Sequence, residues 1–94
     1  MQVSFTSALE GDGANYRIGA LKATAGWRPA DTPVSDLDRE IALRALVREA
    51  EEYDAQALIE VRFSVEDCRD IEIQGVKLRR VTATGTAVRF ALAA

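Results

Sequence analysis

Residues 57–67 alternate between apolar and polar positions. Ile59, Val61, Phe63 and Val65 fall on one side, and Glu60, Arg62, Ser64 and Glu66 on the other. A period of two marks a strand with one covered face. Residues 15–27 also read as a strand. There Tyr16, Ile18 and Ala20 hold the apolar phase first, and Leu21, Ala23, Ala25 and Trp27 hold it afterwards. A one-residue slip of this kind predicts a bulge or bend, for which Gly19 and Gly26 are suited. Residues 76–92 carry a third alternating run through Val76, Leu78, Val81, Ala83, Val88, Phe90 and Leu92. A strand that long exceeds the usual length of about 5–6 residues and has to curve, with Gly85 the natural bend.

Between the first two strands the period changes. Over residues 36–54, Leu43, Leu46, Ala50 and Tyr53 share one helix face, flanked by Ala42 and Val47. Glu40–Arg44 and Arg48–Glu52 are favourable pairs at four-residue spacing on the opposite side. Ser35 is placed to cap the helix, with Asp38 three residues later as the second half of a capping box. Asp36 and Asp38 also put negative charge at the positive end of the helix dipole. Gly11-Asp12-Gly13 reads as a turn after a short extended piece at residues 2–6. The segment 28–34, with Pro29 and Pro33, reads as a loop. Residues 68–75 read as a polar connection, in which Ile71 and Ile73 suit an extension of either flanking strand.

The order is therefore β-α-β-β in one domain spanning residues 1–94, an α+β fold with one helix packed on long, bent antiparallel strands. Such a sheet leaves two long edges, and unpaired edges invite pairing between chains. A cyclic homo-oligomer closes them. Leu37, Ile41 and Ala45 form a second apolar strip that packing on one sheet does not require. Lys77, Arg79, Arg80 and Arg89 make the last strand basic, as edge charges or subunit ion pairs do. Leu37, Ile41, Ala45, Arg79 and Arg80 are accordingly the candidate interface residues.

Composition supports this picture. The hydrophobic fraction is 48%, but 16 of the 94 residues are Ala and only six are aromatic. A core of small side chains stabilises a lone subunit weakly. The net charge of −3 and the near absence of aromatic residues on the basic strand argue against a nucleic-acid partner. No apolar run is long enough for a membrane span, and the first ten residues lack the pattern of a signal peptide. A cytoplasmic location is the expectation.

Catalytic chemistries are largely excluded. The chain has no histidine, which removes histidine-dependent triads, His general bases and His-containing zinc sites. Cys68 has only Arg69 beside it as a basic neighbour, too little to make a nucleophile. No phosphate-binding glycine loop is present. The one cluster with metal-ligand chemistry is Glu66, Asp67, Asp70 and Glu72 around Cys68. Its spacing matches no metal-binding loop, and a solvated connection is the reading preferred. The expectation is a protein that is not an enzyme, with no cofactor assigned.

Three segments carry a resemblance. Thr6-Ser7-Ala8-Leu9-Glu10-Gly11 followed by Tyr16-Arg17-Ile18-Gly19, then Tyr53-Asp54-Ala55-Gln56-Ala57 leading into Leu58-Ile59-Glu60-Val61, and finally Thr84-Gly85-Thr86-Ala87-Val88, resemble in order the corresponding segments of the YbjQ-like proteins. The segment between the first strand and the helix is shorter here than is usual in that family. The resemblance implies a β-α-β-β subunit assembled into rings, with pentamers, and it brings a provisional heavy-metal-binding label. No family ligand set maps onto positions of this chain, whose soft-metal donors are Cys68 and Met1. The functional expectation is a non-catalytic oligomeric module that binds a metal or small ligand between subunits. The alternative is a structural or protein-interaction oligomer without a ligand.

Overall fold

In the computed structural model, residues 1–6, 15–30, 33, 35–73 and 76–90 are described. The chain runs β1 (Gln2–Val3), β2 (Asn15–Thr24), β3 (Arg28–Pro29), α1 (Asp36–Glu52), β4 (Ala57–Ile73) and β5 (Val76–Phe90). This is the expected α+β order with a short leading strand. The sheet order is β1-β4-β5-β2, with β3 beside β5. Only β1 runs parallel to its neighbour. The Gly11-Asp12-Gly13 turn and the end of the last strand at Leu92 lie outside the described residues.

The helix begins where the sequence places it. Ser35 has extended backbone, its Oγ accepts from the Asp38 N–H, and the Asp38 side chain accepts from the Ser35 N–H, completing the box. Four-residue spacing then puts Asp38, Ala42, Leu46 and Ala50 against the sheet. The buried line thus sits slightly to one side of the face centred on Leu43, Leu46, Ala50 and Tyr53, and Tyr53 is exposed. Glu40 and Arg44 pair at 2.5 Å. Among the described residues Arg48 and Glu52 form no ion pair with each other.

Beneath the helix lie Ala25, Leu58, Val61, Val81, Ala83 and Ala87. Most of these side chains are small, and that lets the helix sit close to the sheet. Gly85 marks the closest approach. A Cβ there would meet Val61 Cγ2 at 3.2 Å, Ile59 O at 3.4 Å and Leu46 Cδ2 at 3.4 Å. Its missing side chain serves helix–sheet contact, a role the sequence reading assigns instead to strand bending.

Two bulges correct the strand phases. In β2, Arg17 faces Val88 and Gly19 faces Ala87, so Ile18 is the extra residue. The slip falls two residues earlier than the apolar pattern suggests, and Leu21 and Ala23 pack on the core as expected. In β4 the register shifts between Ile59 and Arg62, where Glu60 takes a positive φ of 55°. One extra residue in a strand reverses which face the next side chain occupies. Leu58 and Val61 therefore belong to the core under the helix, while Ala57, Ile59 and Val88 form a second buried cluster. Ile59 and Val61, placed on one face by simple alternation, lie on opposite faces.

β4 also continues past the expected end. Its pairing with β5 resumes at Glu72↔Lys77 and Ile73↔Val76 after an irregularity between Cys68 and Glu72. Residues 68–73 are thus strand and not a connecting loop, because Glu72 and Ile73 resume the ladder with β5. The result is an elongated chain of 60 × 20 × 16 Å with a radius of gyration of 15.8 Å. A compact chain of this length has a radius near about 12 Å.

Candidate functional site

On the sheet face turned away from α1, a carboxylate binds strands together. Glu66 of β4 accepts from Lys22 of β2 at 2.6 Å and from Arg80 of β5, whose Nη2 is at 2.9 Å and Nε at 3.0 Å. The Arg80 guanidinium lies over the Trp27 ring, 4.3 Å from its centre. Trp27 therefore serves as a partner for a cation, outside the apolar core where its phase would place it. The hydrogen bonds from Lys22 and Arg80 hold the Glu66 carboxyl down to about 2, against the upward push of burial. Near the other end of the sheet, Glu60 accepts from Arg17 at 3.2 Å and from the Thr86 hydroxyl at 3.4 Å.

At the start of α1 lies a narrow cleft lined by Gly26, Arg28, Pro33, Asp38, Arg79 and Val81, among others. β3 places Arg28 directly opposite Arg79 of β5. Asp38, only 4% exposed, is ion-paired with Arg28 and also accepts from Ser35 Oγ at 3.0 Å. Burial pushes the Asp38 carboxyl up, but the hydrogen bonds from Arg28 and Ser35 outweigh it and leave the pKa below its ordinary value. The sequence shows Asp38 only as a helix-start acid. Its partner is ten positions away across the Pro-containing segment, and no periodic pattern connects them.

The nominated interface residues divide into two groups. Leu37 and Ile41 are 56% and 38% exposed, and Ala45 is half-buried beside them. Arg79 and Arg80 lie on β5, half-buried: Arg80 holds Glu66, and Arg79 stands 3.8 Å from Asp67.

The acidic cluster does not assemble as a metal centre among the described side chains. Glu66 and Asp67, adjacent in an extended strand, point to opposite faces and are taken by different arginines. Of Cys68, Asp70 and Glu72 only the backbone place in β4 is described. Among the described residues no three His, Cys, Asp or Glu side chains gather to hold an ion. Soft heavy metals favour thiolate, thioether and imidazole donors, and the whole chain has one Cys, one Met and no His. The described donors of this chain do not fit such a metal. Among the described residues, no helix is long and apolar enough to cross a membrane.

Similarity to known proteins bears on both fold and family. A search of curated proteins finds no match to this chain. Among solved structures it is similar to a crystal structure from Pediococcus pentosaceus, a protein of unknown function in the DUF74 family. The TM-score is 0.64 at 15% identity, over 97% of this chain and 98% of that one. That likeness shows a shared fold from end to end. The sequence itself matches the YbjQ family, described as "Putative heavy-metal-binding", over residues 29–91. That stretch includes the helix and the whole of β4 and β5, so the protein belongs to the YbjQ family.

Proposed function

We propose that this protein is a non-catalytic binding module that works as a homo-oligomer, with its ligand taken up where subunits meet. The observation that carries this reading is the surface of the single subunit. Met1, Phe5, Tyr16, Ile18, Trp27, Leu37, Ile41, Tyr53 and Val65 are all exposed. Four of the six aromatic residues are in that group, and the other two, Phe63 and Phe90, are only half-buried. Large apolar side chains spread over a small domain mark contact surfaces when they are contiguous, and Leu37 and Ile41 are neighbours on one helix flank. Sheet edges add support. Among the described residues the outer edge of β2 and the outer edge of β4 beyond Arg62 have no strand partner. Pairing one edge with the other on a second copy is a head-to-tail contact that generates a ring if it closes. Five subunits is the number the family resemblance implies.

The absence of histidine and the engagement of Glu66, Asp38 and Glu60 with basic partners support a non-catalytic role. The donors described in one subunit do not fit a soft ion. Native mass spectrometry of protein purified without chelator tests the reading. The expected spectrum is a discrete oligomer with a mass increment for retained ligand. A stable monomer at micromolar concentration would sink it. The donor chemistry favours a second reading, a structural or protein-interaction oligomer with no ligand. A bare oligomer, with silent calorimetric titrations of copper, zinc and cadmium, would select that one.

A further inference from the structure

We propose that the open edge of β4, residues 62–66, pairs with the same edge of a second copy, antiparallel about a two-fold axis at Ser64. This rests on the homo-oligomer reading and fixes which edges meet. The first ground is the edge itself. The Ser4 and Thr6 carbonyls accept from the N–H groups of Val61 and Glu60, so the chain's own N-terminal segment covers β4 up to Val61. From Arg62 onward that edge has no strand partner among the described residues. The Val61 N–H points to the outer side, and by alternation so do the N–H and C=O groups of Phe63 and Val65. An edge with unpaired backbone groups is a template for another chain.

The second ground is self-complementarity. Residues directly opposite each other in an antiparallel pair share a face of the sheet. With Ser64 opposite Ser64, Phe63 lies opposite Val65 and Arg62 opposite Glu66, each match occurring twice. Val65 is 49% exposed, and Phe5, tilted against Phe63 with ring centres 6.2 Å apart, is 60% exposed. The pairing covers this apolar group on the α1 side. On the other side Arg62, exposed and without an ion pair among the described residues, gains a carboxylate neighbour. Glu66 accepts from Lys22 and Arg80, yet its side chain keeps 29% of its surface exposed, and a carboxylate has room for a further donor. Moving the axis loses these matches: Phe63 on Phe63 sets Arg62 against Ser64, and Val65 on Val65 sets Phe63 against Asp67. Pairing β4 with β2 instead lays Arg62 along an edge whose charged residues are Arg17 and Lys22. The contact is isologous and makes dimers, so a ring needs another surface as well, such as the Leu37–Ile41 flank.

Disulfide trapping reads the two-fold axis directly. Opposite residues in a non-hydrogen-bonded pair have Cα atoms about 4.5 Å apart, within disulfide reach. Ser64→Cys, in a chain whose Cys68 is replaced by Ser, is oxidised with diamide at micromolar concentration, beside Ala20→Cys on β2 in the same background. Sedimentation velocity of the wild type and of Arg62→Glu accompanies it. Arg62 and Ser64 are exposed, so these variants keep the fold, which circular dichroism checks. The expected outcome is a disulfide-linked dimer from Ser64→Cys and none from Ala20→Cys. Arg62→Glu sets like charges opposite each other and is expected to associate about tenfold more weakly or worse. An oligomeric wild type whose Ser64→Cys variant gives no linked dimer overturns the edge pairing and leaves the homo-oligomer reading standing. Equal trapping of both cysteines overturns the pairing too, as does Arg62→Glu sedimenting like the wild type. A monomeric wild type overturns both.

Discussion

Asp38 illustrates what one residue's neighbours in sequence can and cannot reveal. Its capping role is legible because Ser35 lies three positions before it, the spacing that brings both backbone N–H groups within reach of the opposite side chain. Its burial is not legible. An acid in a first turn is ordinarily solvated, and the arginine that makes burial tolerable comes from β3. The two roles separate in mutants. Ser35→Ala removes one cap acceptor and is expected to cost about 1 kcal/mol. Asp38→Asn keeps the shape but leaves Arg28 without its counter-charge and weakens the reciprocal bond to Ser35. It is expected to lower the melting temperature further than Ser35→Ala does, in thermal melts followed by circular dichroism at neutral pH. Equal losses would mean that Asp38 acts only as a cap.

At the scale of elements, the helix and both long strands are legible, since each has its own hydrophobic period. What the pattern misses is set by single extra residues. Glu60 in a left-handed conformation shifts β4 by one place, and strict alternation contains no signal for that in a non-glycine residue. Gly85 is visible as a glycine, but its reason lies in the helix above it. Gly85→Ala forces Val61 and Leu46 to give way, and is expected to destabilise by about 1 kcal/mol, with Gly85→Val costing more. Urea unfolding measures both; a neutral Gly85→Val would show that the helix–sheet spacing is not tight. The Glu66 clasp across β2, β4 and β5 makes a pH prediction. Its folded pKa, about 2, lies below the ordinary value of 4.5. A depressed carboxylate stabilises the fold above the unfolded value and loses that contribution as pH falls through the folded one. The melting-temperature gap between wild type and Glu66→Gln is thus expected to be full above pH 4.5 and to close towards pH 2. A gap that does not vary with pH would place the variant's effect outside this ion-pair network.

The shape of the whole molecule raises a question that its core does not answer. The buried cluster between α1 and the sheet contains Ala25, Ala42, Ala50, Ala83 and Ala87, so close packing is achieved with little apolar area per residue. Larger apolar groups are left outside. At about 25 cal/mol per Å2 of apolar area, small side chains supply a modest share of the stability that ordering 94 residues demands. The alanine-rich composition makes this legible in advance. Which surface would compensate is less so, because the sequence marks a strip but cannot say whether the fold covers it. Here Leu37 and Ile41 remain exposed while Ala45 does not. Ile41 lies outside the buried core cluster, yet a charged residue there would be buried unpaired in a subunit interface, where such a charge costs several kcal/mol. Leu37→Glu with Ile41→Glu is expected to shift sedimentation from oligomer to monomer while the circular dichroism spectrum at 222 nm stays that of a folded helix. Glu40→Gln, at an exposed position outside the strip, is the matched control and should leave sedimentation unchanged. If the double variant sediments like the wild type, this helix flank is not a subunit interface.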